Sequence, residues 1–382
     1  MEFGITVQGH VPGAAAHDPV REHAAFFDEI ALVRCADRCG WKYAWTAEHH
    51  TLTEYSHLAA SDVWMGYLAA VTDRIHLGAG IFNLSPRVNH PVRNAERAAL
   101  LDHLTEGRFE FGTGRGAGSH ELRTFMVEDP ETTRAEWDEV IREIPRMWAQ
   151  RDYTFAGDHF TVDRPRNVLP KPYLSGHPPI WLACGNPGTF AKAGRLGLGA
   201  LGFTSAPVAD MAPLIDAYKE GIAACEQPVG QFVNDNVLLA GAVVCMESRE
   251  HAREILLRPG RNYIGTLVNL YHDTFPKPPG SPIWPEPAPD MPAEFVDVAI
   301  DTGWLVCGNP EEVCEQLQAH AGTGLDQLVC AMPGGAMTQD ENIECLELMG
   351  RSVIPEFDHD PEHSTTRYRR GTATAHDREE HR

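Results

Sequence analysis

Pro179-Ile180-Trp181-Leu182-Ala183-Cys184-Gly185-Asn186-Pro187-Gly188-Thr189-Phe190 reads as a strand, a turn and a helix start in direct succession. Pro179–Cys184 is a short, unbroken apolar run, the pattern of a strand buried on both faces. Gly185 breaks the run. Asn186 suits an N-cap, and Pro187 suits the first helical position, where a missing N–H costs nothing. The helix extends to Leu196, and Ala200–Thr204 reads as the next strand. Strand, helix and strand so closely spaced form a βαβ unit, which requires parallel pairing.

The alternation continues in both directions. Upstream, strands are expected at Glu2–Val7, Trp41–Ala47, Ile75–Leu84 and Arg108–Thr113, and helices at Ala25–Cys39, His57–Val71, Val92–Leu104 and Glu131–Ala149. Tyr153–Val162 looks like a hairpin excursion. Downstream, Val208–Cys225, Arg249–Leu257, Pro310–Ala321 and Gln339–Ile354 read as helices, and Val237–Cys245 and Gln327–Ala331 as strands. Eight strands, each followed by a helix, predict an α/β fold of the (β/α)8 TIM barrel type with insertion loops, in one domain over residues 1–357. A doubly wound sheet would not need eight such units. Eight prolines fall between Pro276 and Pro292, so the stretch of about 271–292 cannot be a helix or a central strand. It reads as an insertion and a candidate lid. Residues 358–382 are polar, rich in His and Arg, and read as a disordered tail.

Composition narrows the function. Among 382 residues, 54 are acidic and 32 basic, so the net charge is 32 − 54 = −22. Such a surface repels nucleic-acid phosphates and anionic lipid. The longest apolar run, Val237 to Met246, is too short to span a bilayer. Met1-Glu2-Phe3-Gly4 opens no secretory pattern. Nine cysteines without C-x-x-C or zinc spacing read as reduced thiols of a cytoplasmic protein.

Barrel active sites lie at the carboxyl ends of the strands. The second strand ends in Glu48-His49-His50, where a histidine near its neutral pKa can donate or accept a proton. Adjacent strand residues face opposite ways, and no third ligand stands at a telling spacing, so no metal site is expected. The fourth strand runs into Gly112-Thr113-Gly114-Arg115-Gly116, whose glycines and guanidinium suit an anion. It matches neither the P-loop nor the dinucleotide fingerprint. The fifth strand runs into Gly185-Asn186-Pro187-Gly188-Thr189, a helix start that is either simply well capped or a second anion site. Strands four and five are neighbours, so one phosphate could bridge Arg115 and this helix start.

These residues resemble a known family. Trp45-Thr46-Ala47-Glu48-His49-His50 resembles the E-H-H segment of the bacterial luciferase α chain. His90-Pro91-Val92-Arg93 and Leu100-Leu101-Asp102-His103-Leu104-Thr105-Glu106-Gly107-Arg108-Phe109 resemble the matching stretch of luciferase-like flavin monooxygenases. Pro179–Thr189 resembles that family's fifth-strand phosphate corner, and Cys307-Gly308-Asn309-Pro310-Glu311-Glu312-Val313 its late helix start. The resemblance runs from about Phe3 to Ile354. It implies a (β/α)8 barrel that binds reduced FMN supplied by a separate flavin reductase, or the deazaflavin F420 in one branch. It implies oxygenation of a small organic substrate with O2 through a C4a-peroxyflavin, and a homodimer.

By resemblance, Arg115, Ala183, Gly185, Asn186 and Thr189 would hold the flavin phosphate end. Gly80 and Ile81 match a site where the family often has a non-proline cis peptide against the isoalloxazine. His49, with Glu48 beside it, matches the acid/base position. Gly114 stands where luciferase α has a reactive cysteine, which would leave space beside the flavin. Trp45, Tyr55 and Phe82 would wall the substrate pocket, with Tyr271 and Trp284 of the insertion. The alternatives are F420-dependent hydride transfer, which a charge of −22 disfavours because the F420 tail is polyanionic, and a non-catalytic barrel subunit like the luciferase β chain, which would need neither Glu48-His49-His50 nor Arg115.

Overall fold

The computed structural model describes residues 1–116, 118–173, 176–203, 207–258, 292–331 and 336–371. The apolar runs become parallel strands because each is sealed between a helix layer outside and a packed interior inside. Eight of them close a ring: β1 (Glu2–Val7), β2 (Tyr43–Thr46), β3 (His76–Ala79), β5 (Phe109–Gly114), β8 (Ile180–Cys184), β9 (Gly199–Phe203), β10 (Val237–Cys245) and β12 (Gln327–Ala331). β10 pairs with both β9 and β12, which closes the barrel. Outside the ring, β4 (Phe82–Asn83) pairs with β5, and β11 (Leu305–Gly308) pairs with β10. β6 (Tyr153–Ala156) and β7 (Thr161–Arg166) form the expected antiparallel hairpin. The barrel expected from the sequence is the fold observed.

The helices are α1 (Pro19–Arg38), α2 (Ser61–Ala69), α3 (Pro91–Leu104), α4 (Ser119–Thr124), α5 (Thr133–Ala149), α6 (Pro187–Arg195), α7 (Ala212–Ala223), α8 (Arg249–Leu257), α9 (Ala293–Asp301), α10 (Pro310–Gly322), α11 (Gln339–Leu348) and α12 (Ile354–Phe357). Among the described residues none is long and apolar enough to cross a membrane. α1 begins six residues before its first apolar-periodic position, because the Asp18 side chain accepts from Val20 and Arg21 N–H and starts the helix there. α4, α9 and β11 are too short or too weakly patterned to be read from periodicity.

Pleat alternation sorts the side chains. On β5, Phe109 and Phe111 face the helix layer, where Phe111 meets Trp148 of α5 at 5.7 Å. Inside the ring, Tyr43, Trp45, Trp181, Leu238, Ala240 and Val329 form their own apolar cluster. All nine cysteines are free thiols.

Two expectations meet the structure differently. The proline-rich stretch, with Tyr271 and Trp284, lies outside the described residues except for Pro292. The disordered tail does not begin at Asp358: residues 358–371 pack under the barrel, residues 364–371 as a helix, with Thr365 and Arg369 buried. Composition missed this because the segment is held by hydrogen bonds and ion pairs rather than by apolar burial. Residues 372–382 lie outside the described part.

Candidate active site at the carboxyl end of the barrel

The carboxyl ends of the strands carry small inward residues: Gly80, Gly114, Ala183, Ala242 and Ala331. Thr6, Gly80, Ile81, Ala183 and Leu201 are only half-buried although they sit in or beside the ring. Residues in such places meet solvent only where the mouth is hollow, so this end of the barrel is a cup. Its floor is Trp45 and Trp181, edge to face with centroids 5.1 Å apart. Gly78 and Gly112 exist for this floor: a Cβ on Gly78 would lie 2.3 Å from the Trp45 ring, and one on Gly112 would lie 1.8 Å from the carbonyl of Ala79. The Gly80–Ile81 peptide is cis. The side chain of Ile81 then lies over Gly114, where a Cβ would come within 2.8 Å of Ile81 Cδ1. The space expected beside Gly114 is therefore filled by Ile81, a correction that follows from the turn of the chain at residues 80–81.

His49 stands at the rim. Its Nδ1 lies 3.3 Å from Glu121 Oε2, and its ring meets Tyr55 edge-on at 4.9 Å. The other Glu121 oxygen accepts the His50 backbone N–H at 2.8 Å. Glu121 thus fixes both the His49 ring and the chain that carries it. With Nδ1 so engaged, Nε2 is the nitrogen left for a ligand, and among the described residues it has no hydrogen-bond partner. Sequence reading missed Glu121. The available signal was an acid in the first turn of a short helix just after the glycine-rich end of β5.

Glu48 and His50 go elsewhere. The Glu48 carboxylate is buried and accepts from Ser61 Oγ at 2.5 Å and from Arg97 Nη2 at 3.0 and 3.2 Å. It ties the end of β2 to α2 and α3, so both its oxygens are engaged in the helix layer rather than beside His49. The reason is that Arg97, one helix away, neutralises it inside the helix layer. His50 packs on Phe125 at 5.0 Å, away from His49. Among the described residues no group of three metal-ligating side chains occurs.

The expected pocket residues divide. Trp45 is floor. Tyr55 is 1% exposed and backs the His49 ring. Phe82 is not in the cup: it is fully buried between Phe109 and Phe111, with the Arg97 guanidinium 3.7 Å above its ring. The register explains this, since Phe82 pairs with Thr113 on the helix-facing side of β5.

The two halves of the expected phosphate corner are both at the mouth but are differently occupied. At the start of α6, Asn186 Oδ1 accepts the Thr189 N–H at 3.1 Å, and Thr189 Oγ1 accepts the N–H of Gly185 and of Asn186 at 3.2 Å each. Gly185 through Gly188 are exposed, and a Cβ on Gly185 would meet nothing within 4 Å. An open helix start of this kind fits an anionic group. The Arg115 guanidinium instead reaches the carbonyl of Pro130 at 2.8 Å and Glu131 at 3.4 Å, so it braces the start of α5. Its convergence with α6 is not seen, because a backbone carbonyl and a carboxylate beside it take the guanidinium.

A hollow cup of small residues, a largely buried imidazole on its rim and an exposed helix start at the same end suit a planar cofactor with an anionic tail. The family model described as luciferase-like monooxygenase matches residues 1–327. The chain belongs to the luciferase-like monooxygenase family. It is similar to limonene 1,2-monooxygenase of Rhodococcus erythropolis, 29% identical over 88% of this chain and 82% of that protein. It is also similar to F420-dependent glucose-6-phosphate dehydrogenase of Kineococcus radiotolerans, 26% identical over 84% of this chain and 90% of that one. Its fold matches the oxygenating constituent of 3,6-diketocamphane monooxygenase from Pseudomonas putida, solved with FMN, at a TM-score of 0.74 and 19% identity over 93% of this chain and 98% of that one. A luciferase-like monooxygenase is an enzyme of the oxidoreductase class.

Proposed function

We propose that this luciferase-like monooxygenase uses reduced FMN, delivered by a separate reductase, to transfer one oxygen atom of O2 to a small organic substrate. The observation that carries the reading is the His49–Glu121 pair at the rim of a cup whose size comes from glycine and alanine. Bound reduced flavin would supply the oxygen activation; the chain supplies position, protons and dryness. The exposed N-terminus of α6, through the Gly188 N–H and the Asn186 and Thr189 side chains, would hold the phosphate. Ile81 would back the ring system against Gly114. Glu121 keeps the His49 ring oriented so that Nε2 faces the cup, where it can hold or release one proton. Trp45 and Trp181 seal the floor against water.

F420-dependent hydride transfer is the second reading, favoured by the likeness to the glucose-6-phosphate dehydrogenase. Anaerobic titration with FMNH2 and then with reduced F420, followed by admission of oxygen, separates the two. Tight FMNH2 binding with oxygen-dependent product supports the first; binding of reduced F420 alone, with no use of oxygen, overturns it. A homodimer is part of the proposal. Val63 and Tyr67 of α2, and Leu100 and Leu104 of α3, are each about half or more exposed on neighbouring helices, an apolar face that a second copy would cover.

A further inference from the structure

The end of the barrel opposite the cup holds a second polar cluster that the proposed chemistry does not use. Glu2, Lys42, Tyr43, His76, Glu110 and Asn236 gather where the strands begin. Glu110 is fully buried, and burial pushes its carboxyl up to about 8. Residues 358–371 cover this cluster and answer it group by group. Ser364 Oγ lies 2.6 Å from Glu2 Oε2, and its N–H donates to Glu2 Oε1 at 3.0 Å. Thr365 Oγ1 lies 2.6 Å from Glu110 Oε1. The His363 ring stacks on His76 with centroids 3.7 Å apart. Lys42 Nζ donates to the carbonyl of Glu362 at 2.9 Å and to Asp358 at 3.1 Å. Arg369 makes a bidentate pair with Asp102 of α3, both contacts 2.7 Å, with side chains 5% and 0% exposed.

The contacts lead inward. Glu110 Oε2 accepts the Trp181 indole N–H at 2.8 Å. Trp181 meets Trp45 edge to face, and Trp45 lies against Gly78 just below the cup. We propose that residues 358–371 form a strap that closes the amino end of the barrel and, through Thr365, Glu110 and Trp181, holds the tryptophan floor of the cup in place. The strap joins β1, β2, β3, β5 and α3 with the residues leading into β10, so it bridges elements that are distant in the chain. The family model matches residues 1–327, and the strap lies beyond that match. The inference is independent of which cofactor binds.

The test compares the full chain with a chain ending at Gly371, a chain ending at Phe357, and the variants Arg369→Met and Thr365→Val. Readouts are the thermal midpoint and the indole N–H resonances of ¹⁵N-tryptophan protein, with Trp181 assigned from Trp181→Phe. The chain ending at Gly371 keeps the full midpoint. Arg369→Met lowers it by about 5 °C or more, because a buried carboxylate loses its partner. Thr365→Val leaves the protein folded and moves the Trp181 resonance. Should the chain ending at Phe357 fail to fold, the two point variants still decide. An unchanged midpoint for Arg369→Met overturns the strap; an unmoved Trp181 resonance in Thr365→Val overturns its link to the floor.

Discussion

At the scale of the residue, the proposed chemistry rests on one imidazole and the carboxylate behind it. His49→Gln is expected to cut turnover by about 100-fold or more, the range for loss of a general acid or base, while the dissociation constant for reduced FMN moves less than about 3-fold. Stopped-flow turnover and anaerobic titration measure the two quantities separately; equal loss in both would place His49 in binding rather than proton transfer. Glu121→Gln keeps the shape of the contact and removes its charge. Turnover should fall about 10-fold, because the ring loses the charged acceptor that fixes its orientation at the rim. His49 was legible in the sequence because it stands beside an acid at a strand end. Glu121 was not, since 72 residues separate the pair and only the fold closes that gap.

At the scale of the element, the mouth depends on how loops are tied to helices. The buried Glu48 and Arg97 side chains, 2% and 13% exposed, join the end of β2 to α3. Arg97→Met should cost about 3–5 kcal/mol, since it strands a buried carboxylate, and denaturant unfolding should show it as a lower midpoint. Loss below 1 kcal/mol would mean that water already reaches Glu48. At α6 the capping residues and the proposed phosphate residues are the same ones. Thr189→Val therefore removes a cap contact worth about 1 kcal/mol and should also weaken FMN binding several-fold, read by equilibrium titration. Unchanged affinity would leave α6 a well-capped helix and nothing more. The helix start itself was plain from Asn186-Pro187. The service of Arg115 to Pro130 and Glu131 was not, because side-chain direction within a loop has no periodicity to read.

At the scale of the whole molecule, the barrel's acid limit follows from its buried histidines. Burial pushes His76 down to about 3, His177 to about 4 and His363 to about 2. Each is neutral when folded and protonates near 6.5 when unfolded, so the unfolded chain binds more protons below that value. Stability should fall as pH drops from about 6.5 toward 4, by at most about 1.4 kcal/mol per pH unit for each histidine. Glu110 acts in the opposite sense: its folded value of about 8 lies above the ordinary 4.5, so its share is lost as pH rises between those values. The groups facing it are His76, Thr365, Trp181, Glu2 and Arg369. His320 is pushed down by burial in the same sense as the other histidines, while Glu29, raised to about 7, and Asp326, also raised, act with Glu110; the four histidines outnumber these carboxyls and leave a net loss toward acid. Calorimetry at pH 7.5, 6 and 5 should show it, and His177→Gln should flatten the slope. A midpoint that rises toward pH 5 would contradict the assignment. The apolar face of α2 and α3 gives a separate expectation: Leu100→Glu with Leu104→Glu should halve the mass seen by light scattering, and an unchanged mass would remove that face from any interface.

The parallel strands, their order along the chain and the helix starts at Asn186 and Asn309 were written locally, in unbroken apolar runs and in cap residues, because both depend on near neighbours. So was the place of the cup, since barrels put ligands at strand ends. What only the tertiary structure decided are the pairings across the ring. Glu121 reaches His49, Arg97 takes Glu48 away from the cup, Ile81 fills the space above Gly114, and a polar carboxyl-terminal segment closes the barrel from below. Each is a contact between residues far apart in sequence, made by charge or shape rather than by a repeating pattern, and such contacts leave no periodic trace in the chain.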